Sequence, residues 1–298
     1  MPTIAVRGVS HYYEWITASS QPDTVAAPSG KPVMVFVHGW GGSARYWEST
    51  AHAIAQDFDC LLYDLRGFGR SQAAPADQPI PPDYYELEHF ADDLADLLDQ
   101  LHLPRVYLNA HSAGASIATF FLNRYPERVA KAILTCSGIF EYDARAFAAF
   151  HTFGGYVVKY RPRWLYGLPF VDRLFMQRFL HRPIPTDISQ AFLNDFLMAD
   201  YATARGTIYT CVSQRASEVM PQEFAQLRVP TLLIAGERDK IIPAPLGERA
   251  ASLNPQHIQL IVMPNTAHFP MLEDTPTYLA HLRDFLAPLL SPSIPEPA

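Results

Sequence analysis

The stretch Val106-Tyr107-Leu108-Asn109-Ala110-His111-Ser112-Ala113-Gly114-Ala115-Ser116-Ile117 decides how this chain is expected to fold. A short apolar run reaches Ser112, and a helix-like sequence follows as far as Tyr125. A strand that turns sharply into a helix at one serine places that serine in a strained backbone conformation. Its neighbours two positions away must therefore be small, and Ala110 and Gly114 are small. The stretch predicts a strand, a tight turn at Ser112 and a helix.

Strands and helices alternate on both sides of this stretch. Apolar runs at 32–37, 58–63, 129–135 and 231–235 are typical of strands buried on both faces of a parallel sheet. Residues 85–101 carry apolar side chains at helical spacing, with acidic residues between them. This alternation predicts an α/β fold with a mostly parallel central sheet flanked by helices.

The alternation stops between residues 139 and 227. There, large aromatic side chains follow one another and prolines and glycines interrupt the helical stretches, which indicates a separate insertion of helices. The sequence therefore predicts a core made of residues 1–138 and 228–298, with an inserted helical cap at 139–227.

Composition restricts the class of protein. The chain has 298 residues and a formal net charge of -7, which argues against nucleic acid as a bulk partner because phosphate binding needs a basic face. Cys60, Cys136 and Cys211 are widely spaced, form no metal-ligand pattern and suggest a reduced protein without disulfides. We see no signal peptide and no apolar run near the ~20 residues that span a bilayer. A cytoplasmic protein is expected.

Polar side chains that can activate Ser112 follow two strands of the predicted sheet. Asp239 comes directly after the strand at 231–235, and His268 directly after the strand at 259–263. Both belong at the edge that holds Ser112, where ligands of parallel sheets bind. A serine hydroxyl becomes nucleophilic when a base accepts its proton and a third group orients that base. We therefore expect a nucleophile, a base and an acid in Ser112, His268 and Asp239.

Other residues compete for the acid and base roles. Glu237 precedes Asp239 in the same loop, and Glu141 and Asp143 follow the predicted strand at 129–135. All three are therefore alternative acids. His38 and His111 also lie beside the expected site, although a histidine in such a position is commonly structural.

The combination resembles the α/β-hydrolase family. The segment 110–114 is similar to the nucleophile elbow G-x-S-x-G, with alanine in place of the first glycine. The order Ser112, Asp239, His268 is the Ser…Asp…His order of the family. The segment 236–243 resembles the family pattern G-x-x-D-x-x-x-P, and this resemblance favours Asp239 over the competing acids.

The resemblance also implies an oxyanion hole. Its donors would be the backbone amides of Ala113, directly after the nucleophile, and Trp40, in the glycine-rich turn after the strand at 32–37. The resemblance implies neither a metal nor an organic cofactor, and the sequence has no nucleotide-binding glycine pattern. A further family signature at 64–71 is expected to be architectural, with Asp64 and Arg66 tying the loop by hydrogen bonds.

The predicted cap stands where this family carries its lid. Its aromatic side chains would line an apolar pocket above Ser112, with Phe140, Phe147 and Tyr209 as candidates. Its first half is basic, which suggests peripheral contact with an anionic lipid surface or an anionic substrate, against the alternative of an ordinary solvated face. Its cations outnumber its three acids and are Arg145, Lys159, Arg161, Arg163, Arg173, Arg178 and Arg182.

These observations predict a serine hydrolase that cleaves carboxylic esters of small to medium apolar substrates through an acyl-enzyme. Haloalkane dehalogenases and epoxide hydrolases of the family place an aspartate where Ser112 stands, which argues against both. A C–C bond hydrolase and a haloperoxidase-type perhydrolase would use the same triad and remain alternatives. From a different class, a hydrolase-like receptor with little turnover remains an alternative as well.

Overall fold

The computed structural model describes residues 2–20, 27–74, 80–81 and 83–287. Eight strands of the described chain form one sheet in the order β1-β2-β4-β3-β5-β6-β7-β8, in which β1 and β2 are antiparallel to their neighbours and the remaining pairs are parallel. The strands are β1 (Thr3–Val6), β2 (Val9–Ile16), β3 (Val33–Val37), β4 (Asp59–Tyr63), β5 (Val106–His111), β6 (Val129–Thr135), β7 (Thr231–Gly236) and β8 (Ile258–Met263).

Helices cover both faces of this sheet, as the alternation of apolar runs predicted. They are α1 (Glu48–Ile54), α2 (Leu87–Gln100), α3 (Ala113–Arg124), α4 (Ala144–Lys159), α5 (Val171–Met176), α6 (Thr186–Met198), α7 (Tyr201–Cys211), α8 (Gln214–Gln226), α9 (Ala244–Ser252), α10 (Pro270–Glu273) and α11 (Thr275–Leu286). Over the described ranges, none of them is long and apolar enough to cross a membrane.

The central strands are apolar because both of their faces are covered. Every residue of β3, β4 and β7 is buried, so these strands show continuous apolar runs instead of alternation. The α/β-hydrolase fold class expected from the sequence is therefore confirmed. The helical segment after β3 begins with a 3₁₀ turn at residues 44–47, which precedes α1. The proline-rich stretch at 291–298 lies outside the described residues.

The strand order opens a crevice at the carboxyl edge of the sheet. β3 and β5 are hydrogen-bonded neighbours, while β4, which lies between them in sequence, pairs with the other side of β3. The chain segments that leave β3 and β5 therefore run to opposite sides, and ligands of open α/β sheets bind at such a point. The glycine-rich turn after β3 and the turn at Ser112 both lie there.

The segment predicted to be an insertion contains α4 to α8 and leaves the sheet between the neighbouring strands β6 and β7. Its last helix packs against the main core, where Phe224 of α8 is fully buried in one cluster with residues of α3 and α9. Helix α8 covers the sheet and also contributes to the wall of a cavity at the carboxyl edge, which residues of α4, α5, α6 and α7 line as well.

The loop at 64–71 is architectural, but its two charged residues act differently. Asp64 accepts hydrogen bonds from the backbone N–H groups of Ala44 and Arg70, both at 2.8 Å, and from the Arg70 guanidinium at 2.7 Å. Arg66 does not tie this loop as expected, because its guanidinium reaches Asp93 of α2 at 2.7 Å. Arg66 therefore joins the loop to the helix that covers the sheet.

Candidate active site

Ser112 lies in the sharp turn between β5 and α3. Its φ of 54° and ψ of −124° fall in a region that L-residues rarely adopt, which is the strain expected of such a turn. Its N–H donates to the Thr135 carbonyl at 2.9 Å. A Cβ on Gly114 would lie 2.3 Å from the His38 carbonyl oxygen, so helix α3 can approach the turn after β3 only with glycine at this position.

The structure brings Ser112, His268 and Asp239 into one hydrogen-bonded chain. His268 Nε2 lies 3.0 Å from Ser112 Oγ, and His268 Nδ1 lies 2.7 Å from Asp239 Oδ2. The other carboxylate oxygen of Asp239 accepts from the backbone N–H groups of Ile241 and Ile242 at 2.7 and 3.1 Å. With its Nδ1–H donated to Asp239, the imidazole presents the lone pair of Nε2 to the serine hydroxyl.

The competing acids have other partners. Glu237 accepts from the Asn265 backbone N–H at 3.0 Å. Glu141 pairs with Arg249 at the surface, and Asp143 accepts from two backbone N–H groups at the start of α4. Within the described residues, none of these three carboxylates hydrogen-bonds His268. Asp239 is the acid that the fold places beside the imidazole.

The backbone of His268 is fixed on both sides. Its N–H donates to the Phe179 carbonyl at 2.9 Å, which joins the residue to the segment between β6 and β7. Its carbonyl accepts from His111 Nε2 at 2.7 Å. His111 therefore belongs to the support of the base, a position that its sequence neighbourhood beside Ser112 could not reveal.

A buried chain of hydrogen bonds continues from His111 to the turn after β3. His111 Nδ1 lies 3.0 Å from the Tyr46 hydroxyl, which in turn accepts from the Gly39 backbone N–H. Burial and the nearby charge of His268 lower the pKa of His111 well below its usual value, so His111 is neutral. The Nε2–H of His111 donates to the His268 carbonyl, so Nδ1 of His111 accepts from the Tyr46 hydroxyl. Burial raises the pKa of Tyr46 well above 10, and this hydroxyl therefore keeps its proton. Sequence reasoning missed Tyr46, because nothing in the local pattern marks it.

His38 is a structural residue as well. It is fully buried, its Nδ1–H donates to the Gly39 carbonyl at 2.8 Å, and its Nε2 accepts from the Leu65 N–H at 2.9 Å. Burial lowers the pKa of His38, so the ring stays neutral and both nitrogens are satisfied. It holds the turn after β3 against the chain after β4.

Trp40 and Ala113, the residues expected to supply the oxyanion donors, both lie beside Ser112. A Cβ on Gly39 would lie 3.0 Å from Ser112 Cβ, so the turn that carries Trp40 contacts the serine directly. The Ala113 N–H is the first of α3 and has no acceptor within the helix. Both residues line the cavity that contains Ser112.

One cluster of potential metal ligands overlaps the site. Side-chain atoms of His111, Cys136 and His268 lie within 4.8 Å of one another. Both ring nitrogens of each histidine already have hydrogen-bond partners, and burial raises the pKa of the Cys136 thiol well above its usual value. A protonated thiol and fully engaged imidazoles do not suit a metal ion.

A cavity of about 600 Å³ extends from Ser112 and His268 beneath the helical segment. Its wall is mainly apolar. Phe140 and Phe147 line it as predicted, whereas Tyr209 does not, because its ring stacks on His151. The phenylalanines that this segment contributes are Phe140, Phe147, Phe150, Phe153, Phe175, Phe179, Phe192 and Phe196.

The chain belongs to the α/β-hydrolase family. The family model described as alpha/beta hydrolase fold matches residues 32–275, which include all five residues predicted for the site. The family confirms that the protein is of the hydrolase class.

Several relatives match most of the chain. RutD from Pseudomonas savastanoi pv. phaseolicola, named as a candidate carbamate hydrolase, is 27% identical over 275 residues, which cover 86% of this chain and 93% of the relative. The uncharacterized hydrolase YugF from Bacillus subtilis is 24% identical over 281 residues, which cover 94% of this chain and 96% of the relative. A thermophilic esterase from Thermogutta terrifontis shares the fold with a TM-score of 0.73 at 22% identity, covering 97% of this chain and 99% of that one.

Proposed function

We propose that this protein is a serine hydrolase that cleaves carboxylic esters of small to medium apolar substrates. The observation that carries this proposal is the hydrogen-bonded chain of Ser112, His268 and Asp239 at the inner end of an apolar cavity. Apolar ester groups fit the phenylalanine-lined wall of this cavity.

In the proposed reaction, Ser112 Oγ attacks the carbonyl carbon while its proton passes to His268 Nε2. The Asp239 carboxylate stabilises the resulting imidazolium through Nδ1–H. When the tetrahedral intermediate collapses, the ester C–O bond breaks and the leaving alkoxide takes the proton from His268. A water molecule then gives a proton to His268 and attacks the acyl-enzyme. The acid is released, and Ser112 recovers its proton.

The backbone N–H groups of Trp40 and Ala113 are the proposed donors to the developing oxyanion. Their support comes from the contact between the Gly39 turn and Ser112, and from the position of Ala113 at the beginning of α3. Fixed amides of this kind need no reorganisation during the reaction, and one such donor typically contributes ~10²–10³ in kcat.

The helical segment between β6 and β7 is proposed to act as the cap that the sequence predicts at 139–227. Its phenylalanines line the cavity, and the Phe179 carbonyl accepts a hydrogen bond from the backbone of His268. A change in this segment would therefore alter both the preference for acyl length and the position of the base.

Labelling with a fluorophosphonate probe and turnover of p-nitrophenyl esters of increasing acyl length test the proposal. We expect wild-type protein to be labelled at Ser112 and to release p-nitrophenol steadily, whereas Ser112→Ala protein should do neither. A Ser112→Ala protein that keeps the full esterase rate would refute the mechanism.

Adding vinylogous diketones, peroxide and apolar ligands to this experiment separates the alternatives. A C–C bond hydrolase would be labelled but would turn over vinylogous diketones faster than esters. A perhydrolase would need peroxide for its fastest reaction, and a receptor would bind apolar ligands with negligible turnover of every ester.

A further inference from the structure

Eight large apolar side chains are exposed on one side of the helical segment. They lie on or directly next to α4, the 3₁₀ turn Arg163–Gly167 and α5, with exposures between 45% and 71%. We call them the aromatic patch; its members are Phe153, Tyr156, Tyr160, Trp164, Tyr166, Leu168, Phe170 and Leu174.

The patch is one surface because the three elements that carry it pack on a common support. Val157 of α4, Leu165 of the 3₁₀ turn and Val171 of α5 all contact the buried cluster formed by α6. Beside this support, Phe153 and Leu174 are exposed at the cavity, and the other six members are exposed on the same three elements or next to them. The rings of Tyr156 and Tyr160 are stacked with centroids 6.0 Å apart, so the outer side chains also contact one another.

The patch is larger than the largest contiguous apolar patch of a typical monomer. If each member exposes about 100 Å², a little over half of an aromatic side chain, the patch covers roughly 800 Å². The largest apolar patch of a typical monomer is about 300–600 Å² and is often functional. A surface of this size indicates a binding partner.

Cations are interspersed with the aromatic rings. Lys159 Nζ lies 5.3 Å from the Tyr160 ring centre, and the Arg173 guanidinium lies 5.7 Å from that of Phe170. Arg163 and Arg178 are exposed beside them, and within the described ranges none of these four cations forms a salt bridge. The acid of this region, Asp172, is buried and accepts from the Ser189 hydroxyl. The patch is therefore apolar and positive on a protein whose net charge is -7.

This chemistry fits an anionic lipid surface better than a second copy of the chain. In a two-fold contact the same patch meets itself, so its unpaired cations would face cations. At a membrane interface, Trp and Tyr rings lie at the level of the headgroups, apolar side chains reach the acyl chains, and Lys and Arg meet anionic lipids.

The opening of the cavity borders the patch. Phe153, Leu174 and Arg178 are exposed and also line the cavity that leads to Ser112. A molecule that leaves a bilayer beneath the patch would therefore reach the cavity without crossing water.

We propose that the aromatic patch docks on an anionic lipid bilayer, with the opening of the cavity facing the membrane. Docking is independent of the proposed esterase activity; only the entry of an acyl chain for cleavage rests on that function.

Binding of Ser112→Ala protein to vesicles tests docking without turnover. Vesicles of equal parts phosphatidylcholine and phosphatidylglycerol are compared with phosphatidylcholine alone in co-sedimentation. We expect binding to the anionic vesicles, weakened by salt because exposed charges are screened. Trp164 fluorescence should shift to the blue on binding and Trp164→Phe should remove the shift, since Trp15, Trp40 and Trp47 are at least partly buried.

A matched pair of variants locates the surface. Arg163→Gln/Arg173→Gln removes two cations of the patch, and Arg105→Gln/Arg228→Gln removes two exposed cations at the opposite, amino-terminal edge of the sheet. Each cation near an anionic membrane contributes ~1 kcal/mol of binding free energy, so the first pair of substitutions should weaken vesicle binding by about 30-fold. The second pair should change it by less than about 2-fold.

Three results would overturn the docking proposal. They are absence of binding to the anionic vesicles, equal weakening by both pairs of variants, and self-association that Phe170→Asp abolishes, which would assign the patch to a second copy. None of Arg163, Arg173 and Phe170 lines the cavity, so hydrolysis of soluble p-nitrophenyl butyrate should stay unchanged in these variants. Vesicle binding without hydrolysis of any ester would refute the proposed function and leave docking intact.

Discussion

Replacing Tyr46 by phenylalanine tests whether the buried chain from Gly39 to His268 supports the site. The Tyr46 hydroxyl accepts from the Gly39 N–H and donates to His111 Nδ1, which lies 3.0 Å away. Its removal leaves one buried donor and one buried acceptor without a partner. Each such group costs about 1–3 kcal/mol, so Tyr46→Phe should lower the free energy of unfolding by about 2–6 kcal/mol.

Turnover should fall as well, because Gly39 precedes the proposed oxyanion donor Trp40. Full loss of one donor typically costs ~10²–10³ in kcat, and looser positioning of that donor should cost about 10-fold. Since the wall of the cavity keeps its shape, KM should change little. Steady-state hydrolysis of p-nitrophenyl butyrate measures both constants, and urea unfolding measures stability.

Tyr63→Phe is the matched control. Tyr63 is fully buried in β4, and its hydroxyl has no hydrogen-bond partner among the residues that the structure describes. Deleting this hydroxyl should leave stability unchanged within ~0.5 kcal/mol, or raise it, because an unsatisfied polar group disappears. If Tyr46→Phe lost no more stability and no more kcat than Tyr63→Phe, the proposed support of the site would be wrong.

Three further predictions concern the site and its surroundings. Asp239→Asn should lower kcat for esters by ~10³–10⁴ with little change in KM, because an amide no longer stabilises the imidazolium; a fall below 10-fold would exclude Asp239 as the acid. The free energy of unfolding of Ser112→Gly, measured in urea, should exceed that of Ser112→Ala by about 1–2 kcal/mol, because a φ of 54° strains alanine but not glycine. Equal free energies of unfolding would contradict the strain. His38→Gln should remove one contribution to the pH dependence of the free energy of unfolding. Burial lowers the folded pKa of His38 below the unfolded value near 6.5, so its share of stability is present above pH 6.5 and is lost as pH falls. From pH 7.5 to 5.5, wild-type protein should lose more free energy of unfolding than the variant, by at most about 1.4 kcal/mol, and parallel losses would refute this.

The sequence pointed to Ser112, Asp239 and His268, which the structure joins by hydrogen bonds, because the signals for these residues are local. The sharp turn at Ser112 demands small neighbours two positions away, and the buried strands demand continuous apolar runs. Asp239 and His268 stand directly after β7 and β8, so the parallel sheet brings them to one edge. Short-range backbone sterics and strand burial are readable from the order of the residues.

The partners of Arg66 and the position of Tyr209 were predicted wrongly for the opposite reason. Arg66 pairs with Asp93, and Tyr209 turns from the cavity to His151; both contacts join segments that are distant in the chain. Side chains at the same helical spacing can face a cavity or a neighbouring helix, and local sequence does not distinguish these two outcomes.

By itself, the sequence determined the alternating sheet, the strained serine and the order of the residues that surround it. Only the tertiary structure decided which hydrogen bonds hold them. Tyr46 and His111 are 65 residues apart, and His111 and His268 are 157 apart, yet they form one buried chain. The tertiary structure also decided which aromatic side chains line the cavity and which face outward as the aromatic patch, because burial depends on how α4, α5 and α6 pack together.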